Sequence, residues 1–404
     1  MILSTPLESR HIDLGAKMTE FAGYNMPVVY SNIQDEHHAV RKSVGVFDVS
    51  HMGEFIVKGK QALDLVQRIS SNDAAALAIG QAQYSCLPNE TGGIVDDMLV
   101  YRLPEDMCAE GEQAFMLVVN ASNIHKDWDH IQKYASAFDT RIIDISDKTG
   151  LLAVQGPVAK ALLQPLTDVD LDAIPYYHFA KGKIAGIENV IISATGYTGS
   201  GGFELYVDSQ NLVALWDTIM GLEHPVKPLP AGLGARDTLR LEMGFCLYGN
   251  DIDDTTSVME AGLGWITKLG KNSTFPSKEI FTKQKKEGVS KKLVGFIVDD
   301  RRVPRHGYPV CDAEGNEIGV VTSGTLAPTL QVPLGMAYVP SAYAAVGSKF
   351  QVKAGAKMLD AHVVKIPFVE IKISNYKYWF TGKLHRQPTQ YHESTSVSGY
   401  LSQY

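Results

Sequence analysis

The chain is poor in the residues that build cross-links and membrane spans. It has only four cysteines in 404 residues, and they form neither a CxxC pair nor a Cys/His spacing typical of zinc sites. The sequence therefore predicts neither a structural disulfide nor a metal site. It also lacks any run of about 18 apolar residues, so we expect a soluble protein without a bilayer-spanning helix.

The beginning of the chain lacks the features of a targeting segment. Residues 1–6 have no basic flank and no long apolar core, and patterned sequence follows almost at once. We therefore expect a cytoplasmic bacterial protein.

Positive charge is in deficit, with 37 Lys and Arg against 45 Asp and Glu. The resulting net charge of -8 argues against a nucleic-acid partner, which needs clustered positive charge. The segment from Lys268 to Lys292 departs from this average, with eight lysines against Glu279 and Glu287. Two interpretations stay open for this lysine-rich segment: a solvated helix and loop surface, or a docking surface for an acidic partner.

The periodicity of apolar residues predicts an α+β fold with mostly antiparallel strands. The length allows two or three domains of about 100–200 residues each. Alternating runs predict strands at 54–57, 98–101, 115–119, 141–145, 190–192 and 203–207. Apolar spacings of three and four predict helices at 61–69, 123–134, 158–166 and 212–220.

The sequence pattern changes near residue 280. From there on, short alternating runs separated by turn residues predict a small all-β barrel or sandwich. Residues 371–404 are rich in Ser, Thr, Gln and Tyr without an apolar period. We expect this tail to be poorly ordered.

Two adjacent carboxylates, Asp96 and Asp97, follow a glycine dipeptide and open an apolar strand. Successive side chains of a strand point to opposite faces, so one Asp can face a cleft while the other faces solvent or caps the turn. A plain turn with two Asp residues is the alternative interpretation.

The segment from Thr195 to Glu204 is rich in glycine and predicts two strands joined by a turn, with Tyr197 and Glu204 near each other across the pair. Glycines allow a flat ligand to approach the backbone closely. The two oxygens of a carboxylate here suit two adjacent ring N–H donors. A surface Glu on a hairpin is the alternative.

Gly232 to Glu242 predicts a helix whose first turn carries Arg236. An arginine at the positive end of a helix calls for a facing anion, which makes Arg236 a functional candidate. Arg240, one turn later, is interpreted as pairing with Asp237 or Glu242 at the surface. His51 has the pKa of a general base, but the sequence offers no nucleophile for it, so a packed structural role is the alternative.

These segments together resemble the glycine cleavage T-protein family over about residues 7–368. The resemblance also includes segments 11–18 and 247–253. It implies a three-domain cloverleaf around a central folate cavity, with two ferredoxin-like folate-binding domains and a C-terminal β-barrel or jelly-roll-like domain. The implied boundaries are 1–48 with 140–280 for a discontinuous first domain, 49–139 for an inserted second domain, 281–370 for the barrel and 371–404 for the tail.

The family reaction, as the resemblance implies it, moves a one-carbon unit from the aminomethyl group on the lipoyl arm of the H-protein to tetrahydrofolate. Ammonia is released and methylenetetrahydrofolate forms. Carried over by position, Asp97 is the catalytic acidic residue. The implied folate-binding residues are Met52, Tyr84, Val118, Asn120, Tyr197, Glu204 and Arg236. Arg236 is expected either to meet the pterin carbonyl or to hold Asp97 in place.

Two departures from the family pattern concern the folate contacts. The segment after Phe368 is unrelated to the one in which some relatives contribute an arginine near the folate tail, and Phe245 replaces a tyrosine of some relatives. Two other functions were weighed: a folate-dependent demethylase of a small sulfonium or methylamine donor, and a folate-binding accessory protein for iron–sulfur or RNA maturation. The full-length resemblance, including Tyr248 and Gly249, disfavours the demethylase, and the pattern from Gly244 to Gly249 disfavours the accessory protein.

Overall fold

The structure is a computed structural model that describes residues 2–104 and 108–370. The predicted disorder of residues 371–404 therefore lies outside the described residues. Helices and strands are mixed, most strand pairs are antiparallel, and the C-terminal part is a closed barrel. The α+β prediction and the predicted barrel are confirmed. In the described part of the chain, no helix is long and apolar enough to cross a membrane.

The elements are numbered in chain order. The helices are α1 (Glu8–Asp13), α2 (Ile33–Lys42), α3 (Ala62–Ile69), α4 (Ile124–Ala135), α5 (Ala159–Leu163), α6 (Leu212–Met220), α7 (Leu233–Glu242) and α8 (Lys278–Glu287). The strands before the barrel are β1 (Leu3–Ser4), β2 (Lys17–Phe21), β3 (Tyr24–Val29), β4 (Gly45–Asp48), β5 (Gly53–Gly59), β6 (Ala82–Pro88), β7 (Ile94–Arg102), β8 (Gln113–Val119), β9 (Arg141–Asp144), β10 (Thr149–Gln155), β11 (Phe179–Ile184), β12 (Ile187–Ser193), β13 (Gly202–Asp208) and β14 (Leu229–Pro230). The barrel strands are β15 (Lys291–Val298), β16 (Pro309–Cys311), β17 (Glu317–Leu326), β18 (Pro333–Pro340), β19 (Lys349–Ala354) and β20 (Lys357–Val364).

Two sheets form the centre of the molecule. The first, here sheet I, has the strand order β11-β12-β13-β10-β4-β14, and the second, sheet II, has the order β6-β7-β8-β5-β9. Strands β1 to β3 make a separate small sheet, and the barrel closes in the order β15-β18-β17-β16-β19-β20.

The inner faces of sheets I and II pack against each other, and helices cover their outer faces. Alternation along each strand produces this arrangement, because neighbouring residues point to opposite sides. In β13, Leu205 packs towards α5 and α6 while Tyr206 joins the layer between the sheets. In β8, Leu117 packs towards α3 and α4 while Val118 joins that same layer.

The glycine-rich segment departs from the predicted hairpin. Strand β12 ends at Ser193 and β13 begins at Gly202, so Tyr197 lies in the connecting loop, and Glu204 pairs across the strands with Ser193. The backbone explains the difference, because Gly196, Gly199 and Gly201 all have positive φ angles that end a strand.

Candidate active site

The inner face of sheet II brings together several residues predicted to bind folate. Tyr84 on β6 lies opposite Leu99 on β7, which lies opposite Val118 on β8. Residues directly opposite each other share a face, and residues two apart on one strand do too. Asp97 therefore shares the inner face with Tyr84 and Val118.

Two hydrogen bonds hold the carboxylate of Asp97. The Tyr84 hydroxyl donates to Oδ2 over 2.7 Å, and Asn120 Nδ2 donates to Oδ1 over 2.9 Å. Burial, reinforced by the negative charge of Asp96, raises the pKa of Asp97 to about 7, although the bonds from Tyr84 and Asn120 act in the opposite direction. The group therefore changes charge near neutral pH.

Asp96 does not face solvent, as one of the sequence interpretations had it, but is fully buried. It accepts from the backbone N–H of Asn120 over 3.0 Å, from Asn120 Nδ2 over 2.8 Å and from Asn123 Nδ2 over 2.6 Å. Because Asn120 Nδ2 also reaches Asp97, Asp96 fixes the donor that orients the candidate catalytic carboxylate.

Glu204 lies on the inner face of sheet I and is buried rather than on a hairpin surface. Its Oε2 accepts a hydrogen bond of 2.5 Å from the hydroxyl of Thr195. Burial raises the pKa of Glu204, while the bond from Thr195 and the positive charge of Arg236 oppose that rise. The site thus contains acidic groups on both facing sheets.

Arg236, near the beginning of α7, stacks on Tyr197, with its guanidinium carbon 4.7 Å from the ring centroid. The hydroxyl of Tyr197 donates to the backbone carbonyl of Cys246, and its ring stacks on Phe245. Within the described residues, the guanidinium of Arg236 forms no hydrogen bond or ion pair. Burial lowers its pKa. This cation is therefore available to a ligand.

The environments of Met52 and His51 differ. Met52 is half-buried and packs against the apolar layer between the sheets. His51 is buried edge-on to the rings of Phe21 and Tyr24, and its Nδ1 has no hydrogen-bond partner in the described part of the chain. Burial and the charge of Arg236 lower its pKa to about 4. His51 is therefore neutral at physiological pH.

Arg240 differs from its predicted surface role. It does pair with Asp237, over 2.7 Å, but it is buried and makes a second ion pair of 2.7 Å with Asp251. Its Nη2 also donates to Ser323 of the barrel strand β17 over 2.8 Å. The helix that presents Arg236 is thereby joined to the barrel.

Sequence reasoning missed two residues that connect the sheets. The Tyr101 hydroxyl on β7 lies 3.1 Å from the hydroxyl of Thr195, which in turn contacts Glu204. A signal for Tyr101 existed, since it stands four residues after Asp97 and so shares its face. Thr195 opens the glycine-rich segment noted in the sequence, but its contact with Glu204 was not predicted, because it lies beyond the end of β12.

Comparison with known proteins supports one family over nearly the whole chain. Residues 7–271 match the model of the GCVT N-terminal domain, and residues 291–370 match that of the glycine cleavage T-protein C-terminal barrel domain. The chain is 55% identical over 367 residues to an aminomethyltransferase of Bacteroides thetaiotaomicron, covering 90% of this chain and 99% of that protein. It is 52% identical over 365 residues to the aminomethyltransferase of Flavobacterium psychrophilum, with the same coverages.

A solved structure agrees with this result. The crystal structure of glycine cleavage system aminomethyltransferase T from Bartonella henselae superposes with a TM-score of 0.85 at 35% identity, covering 92% of this chain and 99% of that one. The chain therefore belongs to the glycine cleavage T-protein family of tetrahydrofolate-dependent aminomethyltransferases.

Proposed function

We propose that tetrahydrofolate binds between sheets I and II, with its pterin at Glu204 and Arg236 and its reacting nitrogens beside Asp97. The observation that carries this placement is the guanidinium of Arg236, which has no hydrogen bond or ion pair among residues 2–104 and 108–370 and stands close enough to Glu204 to oppose the rise in the pKa of that carboxyl. Arg236 is half-buried and stacks on Tyr197, so its N–H groups can still donate charge-assisted hydrogen bonds to a polar ligand. Tyr84, Val118 and Asn120 border the Asp97 end, and Met52 packs against the layer between the sheets.

Glu204 and Arg236 match the two kinds of polar group on a pterin ring. The ring presents adjacent N–H donors, which two carboxylate oxygens accept, and a carbonyl, which a guanidinium donates to. The second predicted role for Arg236, holding Asp97, has less support. Asp97 is already held by Tyr84 and Asn120, and it forms no ion pair with Arg236 in the described residues.

In this proposal the negative charge of Asp97 lies beside the folate nitrogen on which positive charge develops during the reaction. The transferred carbon lies between a thioether sulfur and an amine, so loss of ammonia leaves an electrophile that a folate nitrogen attacks. Two bonds to carbon break, one to nitrogen and one to sulfur, and two bonds to folate nitrogens form. The two protons displaced from the folate leave on ammonia and on the lipoyl thiol. A carboxylate beside the attacking nitrogen stabilises the positive charge that develops there.

The donor in this proposal is the lipoylated H-protein, whose arm delivers the aminomethyl group to the Asp97 end of the proposed folate site. The relatives named above are bacterial, and we place the reaction in the bacterial cytoplasm. Within the lysine-rich segment Lys271 is buried, and Lys283 in α8 is exposed. A fully solvated lysine surface therefore describes only part of the segment.

We also propose the domain division 1–48 with 140–280, 49–139 and 281–370. The strand order supports an inserted domain, because β4 precedes sheet II in the chain yet pairs with β10 of sheet I. Strand β9 lies just beyond the boundary at 139, although it pairs with β5 of sheet II. Sheet II is thus an insertion between two strands of sheet I. The barrel strands follow α8 and pair only with one another in the described residues.

A reconstituted assay tests the function. Aminomethyl-loaded H-protein is mixed with the full chain, and ammonia is measured with and without tetrahydrofolate. We expect rapid release only when both substrates are present. Equal release without tetrahydrofolate, or transfer from a small methylamine in place of the H-protein, would contradict the proposal.

A further inference from the structure

Four buried hydroxyl groups meet between the sheets beside Glu204. The Tyr101 hydroxyl lies 3.1 Å from those of Ser193 and Thr195 and 3.0 Å from that of Tyr206. Ser193 and Thr195 are 2.8 Å apart. Sheet I supplies Ser193 and Tyr206, sheet II supplies Tyr101, and Thr195 follows the end of β12. The cluster therefore connects the two sheets.

Counting protons gives the direction of these hydrogen bonds. Each hydroxyl has one proton to donate, whereas an ionised carboxylate only accepts. Thr195 gives its proton to Glu204, so it must accept from Tyr101 and Ser193. Tyr206 is then the donor to Tyr101. The four protons are then all used, so the 3.1 Å contact between Tyr101 and Ser193 carries no proton. The four remaining hydrogen bonds point towards Glu204, and each one polarises and strengthens the next.

Thr195 is the only residue in the described part of the chain that donates a hydrogen bond to the side chain of Glu204. Recognition of two adjacent N–H groups requires both carboxylate oxygens to lie close to the plane of the ligand ring. The bond to Oε2 restricts rotation of the carboxylate. Without this hydrogen bond, the Glu204 carboxylate would lose its rotational freedom only when the ligand binds, and the affinity for the ligand would be lower.

We propose that Thr195 is a positioning residue for folate recognition: it fixes the plane of the Glu204 carboxylate. Tyr101 contacts Thr195 and so connects Glu204 to β7, the strand that carries Asp97. Tyr101 and Asp97 both belong to β7, so the distance between the pterin contact and the reacting nitrogens is set through one strand. The proposal rests on the proposed contact of Glu204 with the pterin.

Two substitutions of Thr195 test it by steady-state kinetics with loaded H-protein. Thr195→Val removes the donor at nearly constant volume, and we expect the KM for tetrahydrofolate to rise about tenfold to a hundredfold, as for loss of a hydrogen bond to a charged group. We expect kcat to stay within about threefold, because the reacting atoms are untouched. Thr195→Ser keeps the hydroxyl, and its KM should stay within about threefold of the original. A normal KM in Thr195→Val, or equal losses in both variants, would overturn the proposal.

A double-mutant cycle with Glu204→Gln separates positioning from a general structural role. If Thr195 acts through Glu204, the KM of the double variant should equal that of Glu204→Gln alone. Additive losses would show that Thr195 acts by another route. A normal KM in Glu204→Gln alone would remove the pterin contact itself, which identifies a failure of the proposed function. Thr195→Val should melt at a lower temperature than Thr195→Ser, because its buried partners lose hydrogen bonds. A KM that returns to the original value when Thr195→Val is assayed well below its melting temperature would count against positioning.

Discussion

At the scale of single residues, Asp97 is half-buried on the inner face of sheet II, whereas Asp96 is fully buried. Replacing Asp97 by Asn keeps its size and removes the charge opposite the attacking nitrogen. We predict that Asp97→Asn lowers kcat about tenfold to a thousandfold and leaves most of the tetrahydrofolate affinity intact. Kinetics and calorimetric binding on the full chain check this. Near-normal turnover would remove Asp97 from the mechanism.

Substitution of the neighbours of Asp97 should shift the pKa of Asp97 in either direction, depending on the neighbour. With a pKa of about 7, the carboxyl is protonated and uncharged at lower pH, so kcat/KM should fall as pH drops through about 7. Asp96→Asn removes a negative charge that raises this pKa, so the acid limb should move to lower pH. Tyr84→Phe removes a hydrogen bond that lowers it, so the limb should move to higher pH. Shifts of both variants in one direction would contradict this account.

At the scale of elements, local sequence patterns predicted well what depends on neighbouring residues. The helix predicted at 212–220 is α6, and that predicted at 61–69 is α3 with one residue less. Long-range contacts were not accessible in this way. The pairing of Arg240 with Ser323 spans 83 residues, and no periodicity within a short window contains it. The place of Tyr197 was wrong because backbone angles of the surrounding glycines, rather than side-chain alternation, determine that loop.

The end of α3 shows how a lysine of the lysine-rich segment stabilises an element. The ammonium of Lys271 donates to the backbone carbonyls of Gln67, Ser70 and Asn72 over 2.8, 2.6 and 2.8 Å. These acceptors lie at the negative end of the helix, where cations are favourable.

Lys271→Met should therefore destabilise the protein by about 1–3 kcal/mol, because the buried carbonyls lose their donor. Urea unfolding followed by circular dichroism measures the effect. Lys283→Met, at an exposed position of α8, is the matched control and should leave the unfolding midpoint unchanged. Equal midpoints for the two variants would show that the carbonyls find other donors.

At the scale of the whole molecule, the buried pair of Arg240 and Asp251 lies against the barrel, because Ser323 of β17 hydrogen-bonds to both side chains. Their side chains are 2% and 0% exposed, so neither charge has water to replace a lost partner. Asp251→Asn should destabilise the protein by about 3–5 kcal/mol, the usual cost of breaking a buried pair. Thermal and urea unfolding of the full chain test this. Asp217→Asn, which breaks the exposed pair with Arg10, should change little, and a loss as large as that of Asp251→Asn would refute the argument.

The face-to-face arrangement of sheets I and II has a geometric consequence. Glu204 and Asp97 stand on different sheets, and apolar side chains such as Met116 and Ala153 pack in the layer between the two sheets. Those side chains therefore act as spacers whose bulk decides how far apart the two carboxylates stand. Adding or removing a methyl group in this apolar layer would change the distance between the Glu204 and Asp97 carboxylates. This holds even at positions whose side chains do not contact the cosubstrate.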